Sequence, residues 1–313
     1  MSSLAMSYVI TTRNKFPMLR EVMGRLAANR RFDEEIIAID AGSSDGTAEY
    51  LAGLNRDGHI QQFVSESDRG EAHGYNKGLL LAQGDLIKVI TDDDVFDFKG
   101  IASCREYMRS HPEVDAVGST VGHTILERPD LIVEVTAYRD DFDRWQRGEI
   151  ASFRFCGLPL MIRRRQLPLA GLFHTGCVQV DFEYTLRITR VLNLAWWTGV
   201  LAVRIDNPGS NFRRLRQQCE AELERISRFH GWVEPPAAAH PSPAPWVLWR
   251  RRFGAWRRRL LPGGRQPSPT AEEIRPVITP AEMFLRCEDW LERQSAGRTA
   301  EFLTRPSEAG RGL

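Results

Sequence analysis

The sequence lacks several features that would place it outside the ordinary globular enzymes. No run of eighteen or more apolar residues occurs, so no segment reads as a membrane-spanning helix. Met1–Thr12 shows no basic stretch followed by a long apolar core and a cleavage site, and nothing there predicts export. Cysteine is sparse: Cys104, Cys156, Cys177, Cys219 and Cys287 are odd in number and lie far apart, with no C-x-x-C pair. A disulfide framework and a zinc site both need closer spacing, so buried thiols in a reducing cytoplasm are expected. Thr11–Pro17 contains no glycine, and G-x-x-x-x-G-K-[ST] occurs nowhere. The two common glycine-rich ways of cradling a phosphate are therefore missing.

What is present is the composition of a folded protein of 313 residues, 42% hydrophobic and 27% charged. The formal net charge of +1 hides an asymmetry, because residues 231–313 hold 13 Arg against 9 Asp+Glu, leaving 29 Lys+Arg against 32 Asp+Glu before them. A body that is not basic argues against nucleic acid as a partner. Strand-length apolar runs alternate with helical patterns: Tyr8–Thr12 and Met18–Ala28, Ile36–Asp40 and Thr47–Leu54, Ile60–Ser65 and Ala72–Leu81, Leu86–Thr91 and Lys99–Ser110. That rhythm predicts an α/β fold with a mainly parallel sheet flanked by helices. Less regular strands follow at Ala116–Thr124, Leu131–Thr136, Leu158–Ile162 and Ala195–Val203, with helices at Asp181–Leu192 and Phe212–His230. The expected organisation is one domain over 1–230, a nucleotide-binding half 1–110 and an acceptor half 111–230, then a Pro/Ala-rich linker 231–245 and a helical extension 246–313.

Ligands of open α/β sheets bind beyond the carboxyl ends of the strands. The first strand ends in Thr11-Thr12-Arg13-Asn14, the second in Asp40-Ala41-Gly42-Ser43-Ser44-Asp45-Gly46-Thr47, and the fourth in Thr91-Asp92-Asp93-Asp94. Three adjacent carboxylates repel one another unless a cation lies among them, and Mg²⁺ or Mn²⁺ is commonly held by one or two carboxylates plus phosphate oxygens. Acidic residues also populate exposed turns, so the tripeptide alone leaves both roles open. Asp45 reads as a helix cap.

With Ser67-Asp68-Arg69-Gly70, Asn76-Lys77-Gly78, Gly84-Asp85, and Asp181-Phe182-Glu183-Tyr184 with Arg187 added in the same order, the sequence from Ser7 to Gly231 resembles the family 2 glycosyltransferases. These are inverting enzymes of the GT-A fold. The resemblance implies that Thr12, Arg13, Asp68 and Arg69 line the nucleotide, that Asp40 accepts a hydrogen bond from the base, and that Asp92 lies near the ribose. It also implies that Asp93, with Asp94 as third member of the cluster, holds Mn²⁺ or Mg²⁺. A carboxylate facing a ring N–H suits uracil, and thymine or guanine would satisfy it too. The implied activity is of the hexosyltransferase type: transfer of one sugar from a nucleotide diphosphate sugar, in the first instance a UDP-sugar, to the hydroxyl of a glycan or glycolipid, as in cell-surface polysaccharide synthesis. Q-x-x-R-W, the mark of processive synthases in the family, is absent.

Such a transfer needs a base for the acceptor hydroxyl, and Asp181 is the catalytic candidate. Relatives usually carry a Glu-Asp pair there, whereas Val180 precedes Asp181. That departure sustains an alternative, a non-catalytic relative that binds nucleotide sugar at a membrane. Glu183 and Arg187 are spaced for a salt bridge supporting the same helix. His174 reads as structural or as facing the acceptor, and Asn207 stands where relatives often have histidine. In the tail, Trp246, Trp249, Phe253, Trp256 and Leu260 recur at helical spacing, with the triplets Arg250–Arg252 and Arg257–Arg259 filling positions between them. The face Trp246–Leu261 suits either an anionic membrane surface or the protein's own body. The expected location is the cytoplasm, with the inner membrane face open to the tail.

Overall fold

In a computed structural model, residues 4–233 and 278–305 are described. The linker from 234 onward and the aromatic–arginine segment Trp246–Leu261 lie outside them. The chain opens with β1 (Met6–Thr12), α1 (Phe16–Asn29), β2 (Glu34–Asp40), α2 (Thr47–Arg56), β3 (Gln62–Ser65), α3 (Glu71–Leu81), β4 (Leu86–Ile90), β5 (Val95–Phe96) and α4 (Phe98–Ser110). It continues through β6 (Ala116–Ile125), β7 (Arg128–Glu134), α5 (Ala137–Gln146), β8 (Met161–Arg163), α6 (Leu167–Ala170), α7 (Val180–Val191), β9 (Leu194–Asp206), α8 (Asn211–Arg214) and α9 (Arg216–His230). Helix α10 (Pro280–Ala296) and β10 (Phe302–Thr304) follow.

The sheet runs β10-β9-β6-β8-β4-β1-β2-β3, with β5 and β7 added on β9 and β6. Strands β3, β2, β1 and β4 are mutually parallel. Because both faces of this half are covered, β1 and β2 are buried at every residue. Their alternation still sorts the side chains: Tyr8, Ile10, Ile36 and Ala38 join one core with α1 and α4, while Val9, Ile37 and Ile39 join the other with α3. The second half departs from the βα rhythm. Strand β8 inserts antiparallel to both β4 and β6, and β9 runs parallel to β6.

Helix α10 returns to the first core through Met283, Phe284, Cys287 and Leu291. A capping box between Thr279 and Glu282 starts it, and Glu288 receives Arg25 of α1 at 2.5 Å. Strand β10 then pairs antiparallel with β9. The catalytic-half boundary at 230 is thus not where the packed body ends, since residues 280–304 complete its sheet and core. All five cysteines are buried and free. Among the described residues, no helix is long and apolar enough to cross a membrane.

Candidate active site

Register brings the strand ends level, with Thr12 beside Asp40 and Ile10 beside Ile90. Asn14, at a positive φ of 53°, turns the chain out of β1. Its side-chain oxygen accepts from Ser44 N at 2.8 Å, and its own N–H donates to Ser43 Oγ at 2.9 Å. Asn tolerates this left-handed backbone and bonds locally at the same time. Asp45 accepts from Thr47 N at 3.2 Å and from Phe16 N at 3.0 Å, so it serves the starts of both α2 and α1.

Asp40 and Asp68, both expected at the nucleotide, have different surroundings. Asp40 is fully buried, and its carboxylate accepts from the N–H groups of Gly42 and Ser43 and from the hydroxyls of Ser43 and Ser65 at 2.5–3.3 Å. Those bonds hold the turn after β2. Asp68 is placed differently. Its Oδ1 accepts from Gly70 N at 2.9 Å, while its Oδ2 is buried without a hydrogen-bond partner among the described residues. An orphaned buried acceptor is costly unless something fills it. Gly74 of α3 makes room here, since a Cβ on it would lie 2.0 Å from Thr11 Oγ1 and 3.2 Å from Asp68 Oδ2. Thr12 is buried, and Arg13 and Arg69 are exposed along the same rim. In α3, Asn76 pairs its amide with both backbone groups of Phe173, which makes it a packing residue.

The three aspartates after β4 have separate environments. Asp92 is pushed up to about 7 by burial and by the neighbouring Asp93 charge. Asp93 Oδ2 accepts from Lys15 Nζ at 2.6 Å and Asn207 Nδ2 at 2.9 Å. Asp94 is 5% exposed and faces inward; Thr91 Oγ1 and Ile205 N each donate to it at 2.7 Å. Burial, then Asp93, pushes it up to about 8. One oxygen is thus bonded within the loop after β4 and the other ties that loop to β9. Among the described residues no three His, Cys, Asp or Glu side chains form a cage for an ion. The donor set that fits is Asp93 with Asp92 and phosphate oxygens of a substrate, the pattern in which Mg²⁺-type ions are usually held.

Across from this cluster, Asp181 stands in the first turn of α7, its Oδ2 accepting from Gly157 N at 3.1 Å. Glu183 and Arg187 are bonded at 2.9 Å, and Arg187 also caps the carbonyls of Ala170 and Leu172. They lock the loop before α7, as their spacing predicts. His174 folds back on its own turn, accepting from Gly176 N at 3.0 Å. Val180 is buried in the second core.

Three further residues near these carboxylates were not singled out from sequence as site residues. Glu71, at the start of α3, is pushed up to about 8 by burial, then by Asp92, Asp181 and Asp93; its carboxylate accepts from Asn211 Nδ2 at 3.2 Å. Arg204 of β9 lies within electrostatic reach of Asp94 and Asp181. Lys15 directly follows Thr12-Arg13-Asn14, and that adjacency is the one local signal it gives. Glu71 likewise follows Asp68-Arg69-Gly70. Asp92, Asp93 and Asp181 thus all lie within electrostatic reach of the one carboxyl of Glu71.

The family model of glycosyl transferase family 2 matches residues 7–167, half of the chain. Poly-beta-1,6-N-acetyl-D-glucosamine synthase of Staphylococcus aureus is 22% identical over 192 residues, covering 61% of this chain and 41% of that protein. The Staphylococcus epidermidis protein of the same name is 26% identical over 170 residues, covering 54% and 37%. The chain therefore spans less than half the length of these relatives. Among solved structures, S. aureus TarS 1–349 in complex with UDP-GlcNAc superposes with a TM-score of 0.54 at 12% identity, over 72% of this chain and 65% of that one. The mannosyltransferase PcManGT of Pyrobaculum calidifontis, in complex with GDP-Man and Mn²⁺, gives 0.52 at 19% identity, over 82% and 81%. At these identities the likeness is one of fold.

Proposed function

This chain belongs to glycosyl transferase family 2, and on that footing we propose that it moves one sugar from a nucleotide diphosphate sugar to a hydroxyl acceptor with inversion. One observation supports the proposal: the carboxyl of Glu71 lies within electrostatic reach both of Asp92 and Asp93 after β4 and of Asp181 on α7. Asp181 takes the acceptor's proton as the hydroxyl oxygen bonds to the anomeric carbon. The bond from that carbon to the diphosphate breaks with its electron pair leaving on phosphate oxygen. A divalent cation on Asp93, with Asp92 beside it, supplies charge neutralisation for the leaving diphosphate. Asp68 Oδ2, rather than Asp40, accepts the ring N–H of the base; Asp40 shapes the loop that receives it. The N-acetylglucosamine polymer synthases and the UDP-GlcNAc complex among the similar proteins favour a UDP-sugar and a role in surface polysaccharide or glycolipid assembly.

Hydrolysis of UDP-, GDP- and dTDP-sugars, each with Mn²⁺, Mg²⁺ or EDTA, tests this directly. Release of UDP that depends on cation is the expected result. Absence of release and of binding for all three donors overturns it.

A further inference from the structure

Three segments far apart in sequence meet at one oxygen. Lys15 lies at the start of α1, Asp93 just after β4 and Asn207 just after β9, and Asp93 Oδ2 accepts from the first at 2.6 Å and from the last at 2.9 Å. The third side of the triangle is Lys15 Nζ to Asn207 Oδ1, at 3.3 Å. Asn207 is held in this orientation from both ends: its Nδ2 also reaches Ile205 O at 3.3 Å, and its Oδ1 accepts from Gly209 N at 3.0 Å. Flipping the amide would set donor against donor and acceptor against acceptor. Gly209 packs against the same group, a Cβ there falling 3.3 Å from Asn207 Oδ1 and 3.6 Å from Lys15 Nζ.

Side-chain exposure of 20% for Lys15 and 15% for Asp93 separates this pair from a solvated surface ion pair. Ammonium and divalent cation compete for the same carboxylate, because each needs its charge and lone pairs. A lysine suits a displaceable counter-ion, being a point charge on a flexible four-carbon stem, whereas arginine's rigid fork suits a fixed one.

We propose that Lys15 is a built-in counter-ion that keeps Asp93 neutralised in the nucleotide-free protein, and that it transfers to a diphosphate oxygen when nucleotide and divalent cation enter together. The inference rests on Asp93 being a metal ligand. Its consequence is linkage: cation and nucleotide each raise the other's affinity, because each helps the lysine to leave the carboxylate or gives it a new partner. Asn207 fixes the carboxylate in place while this exchange happens.

Mn²⁺ titrations of the full chain followed by electron paramagnetic resonance, with and without UDP, test the idea on wild type, Lys15→Met and Lys15→Arg. Nucleotide-free Mn²⁺ affinity should rise about tenfold or more in Lys15→Met, roughly the effect of removing one bound competitor worth 1.4 kcal/mol. Lys15→Arg should stay at or below the wild-type affinity. In EDTA, UDP should bind Lys15→Met more weakly than wild type by calorimetry. Melting curves confirm that the variants are folded; if Lys15→Met is not, Asn207→Ala, which loosens the same triangle, should raise Mn²⁺ affinity instead. Equal Mn²⁺ affinity in all folded variants overturns the counter-ion role and leaves Asp93 as ligand intact. No Mn²⁺ binding by any variant, even with UDP, overturns the metal assignment and the counter-ion role with it.

Discussion

Gly157 donates its N–H to Asp181 Oδ2 at 3.1 Å, and a Cβ on Gly157 would lie 2.9 Å from Asp181 Cβ. The loop after Phe155 therefore both orients the carboxylate and leaves it room. Gly157→Ala should push the first turn of α7 away, and because small misplacements of a reacting group can cost about 10²-fold, kcat should fall by roughly one to two orders of magnitude. Nucleotide affinity should stay near wild type. Steady-state kinetics with calorimetry of UDP binding separate the two, and an unchanged kcat would show that Asp181 needs no such placement.

Replacing the carboxylate itself gives a sharper test. Asp181→Asn keeps the shape and removes the proton acceptor, so transfer should drop by about 10²–10⁴-fold with nucleotide binding retained. Loss of UDP affinity on the same scale would move Asp181 to the donor site.

The acidic tripeptide should divide by role. Asp93→Asn should remove most cation-dependent donor binding while the fold survives, since both Asp93 and Lys15 are partly exposed. Asp94→Asn should act on stability, because its inward carboxylate serves Thr91 and Ile205; a lost or reversed buried bond costs about 1–3 kcal/mol. Denaturant melts and Mn²⁺ titrations of both variants read the difference.

A similar division separates the two aspartates assigned to the nucleotide. Asp40→Ala strips hydrogen-bond acceptors from four donors of a buried turn, and should lower stability by about 2–4 kcal/mol. Asp68→Asn should leave the melting point nearly unchanged and weaken UDP binding by about tenfold. An Asp68→Asn variant with wild-type UDP affinity would return base recognition to another group.

The sequence makes the parallel half readable because each of its strands contains adjacent apolar residues and is followed by a helix. The strand expected over Leu158–Ile162 forms only at Met161–Arg163, where β8 is held by pairing with β4 and β6, long-range contacts that set its bounds. The single helix expected over Phe212–His230 is broken at Leu215, where Ser210 caps a first short turn. Helix α5 escapes detection because its buried residues are Asp141, Phe142 and Trp145, too few apolar positions for a clear stripe. In the candidate site, residue types and strand ends point to loops but not to which oxygens the surrounding chain already occupies. Asp40 and Asp68 look alike in sequence; Ser43 and Ser65 decide that one is saturated. Lys15 and Asn207, 192 residues apart, meet only through the fold.

One buried cation outside the cleft yields a pH prediction. Lys88 on β4 is fully buried, its ammonium donating to the carbonyls of Leu158 and, at 2.9 Å, Val89, and lying 5.0 Å from the Phe96 ring centroid. Among the described residues no carboxylate pairs with it, and burial pulls it down to about 7 from an ordinary value of 10.5. Between those two values the unfolded chain binds a proton that the folded chain has released, so stability rises with pH through this window. Below it the folded state bears the full cost of an ionised buried lysine. Lys88→Met removes the titration, although it leaves two carbonyls short of a donor, so the informative quantity is the pH slope of the stability difference and not its size. Relative to wild type, the variant should be most favoured near pH 6.5 and lose that advantage toward pH 10, by up to about 1.4 kcal/mol per pH unit. Urea melts at intervals across that range measure it. A difference that stays flat would mean that Lys88 keeps its proton in the folded protein, with the Leu158 and Val89 carbonyls and the Phe96 ring outweighing the cost of burial.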